Sequence, residues 1–182
     1  MSEDLIVRLS APTLAGIKTG SLFRVTFDDR RTFLSDMRRL NRSVRRAGIT
    51  VVPLRSSADS AIVYLYRPSM LERDLRADKA RSILDSLGYQ SGRTAFMVAQ
   101  LSRRFSGESF PHEVGLFLGY PASDVTGFIN DPRRGYKLNG TWKVYGDAAS
   151  AEREFRKFRI CISIYTKALR RGAHISDLAV RV

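Results

Sequence analysis

Cysteine is nearly absent from this 182-residue chain, and its single copy, Cys161, excludes an intramolecular disulfide. No oxidising compartment is therefore implied. Histidine occurs only twice, so Cys and His together are too few for a zinc site built from four protein ligands of the usual type. Apolar runs stop far short of the ~20 residues that cross a bilayer. Met1 to Gly16 lacks the basic start and long apolar stretch of a secretory signal. The expectation is a cytoplasmic protein without a membrane span. A Gly-rich phosphate loop, a serine nucleophile elbow and a dinucleotide fingerprint are missing too. So are repeats, low-complexity tracts and long linkers.

What is present is a chain that is 43% apolar and long enough to bury a continuous core without staples. We expect one domain over residues 1–182. The formal charge is +13, from 31 basic and 18 acidic residues. Such a field attracts phosphates, nucleic acid or anionic surfaces. Yet 25 of the basic residues are arginine, which a genomic codon bias also produces, and no Lys/Arg tail exists.

Ser21-Leu22-Phe23-Arg24-Val25-Thr26-Phe27 alternates with period two and reads as a strand. The segment before it, Ala11 to Gly16, reads as a small-residue turn or short helix. Asp28 and Asp29 supply an N-cap and first-turn charge for a long helix ending before Gly48. Phe33, Met37, Leu40, Val44 and Ala47 share one arc of that helix, and Arg31, Arg38, Arg42 and Arg45 lie roughly opposite. Residues 50–54 and 61–66 are expected to pair as antiparallel strands, with Pro53 marking an edge. Ser69 and Glu72 fit a capping box. Two short helices should come next, closing at Gly88, and a further helix should cover Thr94 to Phe105.

Pro111 and Pro121 each suit a first helical turn, which predicts short helices at about 111–118 and 121–129 joined at Gly119-Tyr120. Asn139-Gly140 between alternating flanks predicts a hairpin with a type I′ turn. The last long helix, near 149–171, carries Ala151, Phe155, Phe158, Ile162, Tyr165 and Leu169 on one stripe and stops at Gly172. The sum is an α+β fold: a small, mostly antiparallel sheet of about four to five strands packed with several helices.

Five stretches taken in order also look familiar: Ala11 to Phe23, Tyr64-Leu65-Tyr66-Arg67-Pro68, Phe110 to Pro121, Asp124 to Ile129, and Gly140 to Tyr145. Together they resemble an uncharacterised bacterial family, domain of unknown function 3793. The Pro-His-Glu segment is quite specific to it. The resemblance implies no established activity. Members often carry His-Cys just before the Ala-Pro turn, where this chain has Leu9-Ser10, whereas the cysteine of the last helix is retained as Cys161.

The unusual residues concentrate between Phe110 and Pro121. His112 and Glu113 are neighbours about 100° apart on a helix, a poor mutual acid–base pair that could still face one cleft. A zinc-protease motif would need a second histidine where Leu116 stands, so that reading fails. Glu113 could instead favour the positive helix end while His112 bonds a neighbouring loop. Gly115 and Gly119 sit one turn apart and suit a close helix crossing. Lys18 and Lys143 stand out in an arginine-biased chain as point charges for a phosphate or carboxylate. Cys161 reads as a packing residue. Tyr120, Asp124 and Tyr145 are polar-tipped, and nothing in the sequence separates site from scaffold for them.

These residues predict a domain that binds a small ligand, a metal-type cofactor or a protein partner, centred on Phe110 to Pro121. His112, Glu113, Tyr120, Lys18 and Lys143 are the candidate ligand residues. His112 is the only candidate for an open metal or haem position. The first alternative is a nucleic-acid or anionic-surface binder using Arg31, Arg38, Arg42 and Arg45. The second is an enzyme of unassigned reaction using His112 and Glu113.

Overall fold

Helix α1 (Glu3–Leu14) opens where the Ser2 hydroxyl accepts the Leu5 N–H and Glu3 and Asp4 meet the positive helix end. The computed structural model describes residues 2–182. The Ala11–Gly16 segment is thus not a separate turn or short helix. Pro12 lies inside α1 at the cost of one intrahelical bond, to the carbonyl of the exposed Arg8, and Gly16 at φ +77° then reverses the chain.

Strand β1 (Gly20–Thr26) leads to Asp29, whose carboxylate accepts the Arg31 and Thr32 N–H groups and starts α2 (Arg30–Arg45). Strands β2 (Thr50–Ser56) and β3 (Ser60–Tyr66) come next, and the sheet order is β1-β3-β2, all antiparallel. β2 is an edge, as Pro53 predicts, and its register slips between Pro53 and Arg55 at a bulge.

Both faces of this sheet are covered. Phe23, Val25, Val51, Ala61, Val63 and Leu65 join a core with α1, α2 and two later helices, α8 (Ala148–Arg170) and α9 (Ile175–Leu178). Tyr64, Tyr66 and Leu54 join a second core with α3 (Pro68–Arg76), α4 (Asp78–Ser86), α5 (Thr94–Phe105), α6 (Val114–Phe117) and α7 (Ala122–Asn130). Burial on both faces explains why β3 reads as a nearly unbroken apolar run. The helix after β3 starts at Pro68 with Arg67 in the capping position and no side-chain cap. Ser69 therefore lies within the first turn and the expected capping box does not form. Pro68 pre-sets the helical φ and takes the box's place.

The 111–118 helix is shorter than expected. Pro111 and His112 accept turn hydrogen bonds from Val114 and Gly115, and only one helical turn forms beyond them. Strands β4 (Leu138–Asn139) and β5 (Lys143–Val144) form a ribbon separate from the main sheet. Its loop holds three residues, 140–142, and Gly140 is not among the positive-φ glycines. The type I′ turn is therefore absent. Gly140 is needed instead because a Cβ there would collide with the Phe155 ring. Helix α8 packs along α1, and α9 closes the first core. The five strands thus lie in two sheets of a single α+β domain.

Arg67, at the end of β3, is 1% exposed. It donates to the carbonyls of Thr13, Leu14, Ala47 and Val180. The ends of α1 and α2 thereby gain partners for carbonyls that no intrahelical N–H reaches. Among the described residues no helix is long and apolar enough to cross a membrane.

Candidate functional site

Asp124, in the first turn of α7, organises the region that the sequence singled out. Its buried carboxylate accepts from the Trp142 indole N–H at 2.7 Å and from the Tyr145 and Gly146 N–H groups at 2.9 and 2.7 Å. These bonds fasten the β4–β5 ribbon to α7. They also hold the Trp142 ring stacked on Tyr120, with centroids 4.6 Å apart. Gly115 completes the arrangement: a Cβ there would lie 2.8 Å from Val125 and 3.2 Å from Tyr120. Its role is close packing of α6 on α7. Gly119 takes φ +78°, the reversal that lets α7 begin beside α6.

Two hollows share Tyr120, Asp124 and Trp142 as a common wall. The first, of about 360 Å³, is lined mainly by Leu22, Phe110, Val114, Leu118 and Phe128, with His112, Thr141 and Lys143 adding polar groups beside the shared wall. His112 is exposed and its ring meets Phe128 edge-on at 5.0 Å and Phe110 at 5.6 Å. The Lys143 ammonium donates to the Pro132 carbonyl at 2.6 Å and lies over the Tyr136 and Phe128 rings.

The second hollow, of about 510 Å³, is more polar. Lys18, Thr19, Asp74, Ser123, Asp147 and Glu154 are among its lining residues. Lys18 is half-buried, donates to the Gly20 carbonyl at 2.6 Å and sits 5.3 Å from the Tyr120 ring centre. Burial lowers its ammonium to about 8, because leaving water penalises the charged form. Burial likewise pushes the Tyr120 phenol up to about 12, so it stays protonated.

Four of the five predicted ligand residues therefore meet at one wall. His112, Lys143 and Tyr120 face the first hollow, and Lys18 and Tyr120 the second. Glu113 does not line either. It is 3% exposed and bonded to the Tyr89 hydroxyl and the Arg104 guanidinium, an internal strut between α5, α6 and the segment just after α4. Burial, and then the adjacent Glu113 carboxylate, hold the Tyr89 phenol well above its ordinary value. Arg31, Arg38, Arg42 and Arg45 are all exposed on α2, a helix of the opposite face.

Cys161 is buried, and burial raises its thiol to about 11, which leaves it protonated and unreactive. Phe128 and Leu22 belong to the first hollow without having been expected there, whereas Phe110 heads the segment on which the expectation was centred. The one sequence signal for them is the aromatic content flanking the Pro-His-Glu segment.

Fold and site together define an α+β domain with an aromatic-walled cleft at the junction of short helices and a ribbon. A family model matches residues 6–179, and the chain belongs to the family described as Protein of unknown function (DUF3793). No curated protein and no solved structure matches it.

Proposed function

We propose that the chain binds a small, largely apolar ligand in the hollow of Phe110, Phe128 and Trp142, with a polar or acidic end held by His112 and Lys143. The observation that carries this reading is the volume of about 360 Å³ behind a wall of aromatic and aliphatic side chains with few polar groups. Small-molecule sites have that character: roughly 300–1,000 Å³, mostly apolar, oriented by a few polar atoms. Among the described residues no three His, Cys, Asp or Glu side chains cluster in a metal-holding group. The His112 ring is flanked by two phenyl rings, which suits an organic ligand better than an ion.

A thermal-shift screen of fatty and aromatic carboxylates tests the reading. Wild type should be stabilised by at least one of these probes. Phe128→Ala should abolish the shift, and His112→Ala should reduce it while leaving the ligand-free melting temperature nearly unchanged, since His112 is exposed. Equal shifts in wild type and Phe128→Ala, or none in wild type, would overturn it.

A further inference from the structure

The second hollow holds a group that a purely apolar site does not use. Lys18 reaches it from the turn after α1, between Thr19 and Gly20 of β1 and the Tyr120 ring. Each carboxylate facing the same space is committed elsewhere. Asp74 bonds Thr19 and Arg73, and Asp124 holds the ribbon. Asp147 caps α8 through the Ser150 N–H, and Glu154 pairs with Lys157. Arg73, the other cation lining the hollow, pairs with Asp74 as well. The half-buried amine therefore has a carbonyl and a ring as its partners, and no counter-ion among the described residues. An ammonium in that position is the less favoured form.

We propose that Lys18 is a covalent carbonyl-binding site, at which its amine forms an imine with a small polar aldehyde or ketone seated in the larger hollow. While one N–H is bonded to the Gly20 carbonyl the lone pair attacks the carbonyl carbon, and that bond is given up when the second N–H proton leaves with the water. A proton passes from nitrogen to the former carbonyl oxygen, giving a carbinolamine. Loss of water then leaves the C=N bond. Amine and carbonyl become imine and water, with no oxidant or reductant, and hydrolysis returns both. The surrounding hydroxyls and carboxylates, Ser123 and Asp74 among them, suit a hydroxylated carbonyl compound better than an apolar one.

The lowered basicity supports the same chemistry. With an amine near 8, the neutral fraction at neutral pH exceeds that of an ordinary lysine (~10.4) by about two orders of magnitude.

Incubating the full-length protein with glyceraldehyde and cyanoborohydride would trap the imine, and peptide mass spectrometry would give the yield at each of the six lysines. At neutral pH, Lys18 should be labelled at least tenfold faster than Lys79, with a rate that rises and levels near pH 8. Ser150→Trp, which narrows the hollow while keeping the backbone cap of α8, should slow Lys18 alone. Labelling spread evenly over the lysines would overturn the proposal. So would Lys18 labelling that Ser150→Trp leaves unchanged, since the amine would then react from outside the hollow.

Discussion

The two faces of the central sheet are closed in different ways. On one, three helices of 12, 16 and 23 residues lay continuous apolar stripes on the strands, and a buried arginine binds the helix ends together. On the other, five helices of at most 12 residues meet at prolines and glycines. Long helices bury a stripe and leave fewer gaps, although a hollow of about 340 Å³ remains between β1 and α2 and α8 lines one side of the larger hollow. Short ones leave hollows at their junctions, and both hollows with chemistry lie there, against Tyr120 and Trp142. The lesson is a division of labour: one face supplies rigidity and the other supplies shape.

Breaking the first face should have the largest effect. Arg67→Met removes donors from four carbonyls, three of them in buried bonds, and should cost about 3 kcal/mol or more. Urea denaturation would register it as a lower midpoint with an unchanged slope. A loss under about 1 kcal/mol would mean that the two faces do not differ as described.

Asp124→Ala attacks the second face alone. Three donors lose their acceptor, so the cost should be about 2 kcal/mol, confined to the ribbon. Hydrogen exchange should speed up at 138–146 and stay slow in β3 and α8. Trp142 fluorescence should report the ring's release from Tyr120. Uniform loosening across both faces would contradict the comparison.

The smallest effect concerns Lys18. Its amine is about 8 in the fold against 10.5 unfolded, so between those values the unfolded chain holds more protons and stability rises with pH. Below pH 8 both states are charged and the full burial penalty applies. Lys18→Met should therefore stabilise the protein by about 1 kcal/mol at neutral pH, after loss of the Gly20 hydrogen bond and the Tyr120 contact. That gain should shrink as pH rises through about 8 and turn into a loss before 10.5, which melting curves across the range would track.

What was legible in the sequence was local. The Asp29 cap, the limits of the Thr94–Phe105 helix, the Pro53 edge and the Gly172 stop each depend on residues within a turn of one another. Helix α1 escaped because Pro12 argues against a helix interior, and what overrides it is packing of α1 on the sheet and on α8, contacts far along the chain. The crowding of Lys18, Tyr120, His112 and Lys143 was half legible: rare residues drew attention, but their common wall depends on Asp124 reaching Trp142 eighteen positions away. Glu113 misled for the same reason. Its partner Tyr89 lies 24 residues back, and a carboxylate beside a histidine looks alike whether it faces a ligand or an internal tyrosine. Arg67 was one of 25 arginines, and only the fold sets it apart.

Arg67 also imposes an order of events on synthesis. The carbonyls of Thr13, Leu14 and Ala47 have already been made when residue 67 leaves the ribosome, whereas Val180 arrives 113 residues later. The nascent chain can assemble its sheet and its short-helix face early, with both hollows incomplete until Trp142 and α8 arrive. The fourth bond of the arginine thus depends on docking of the 175–182 segment, which ties the far end of the described chain to the ends of α1 and α2.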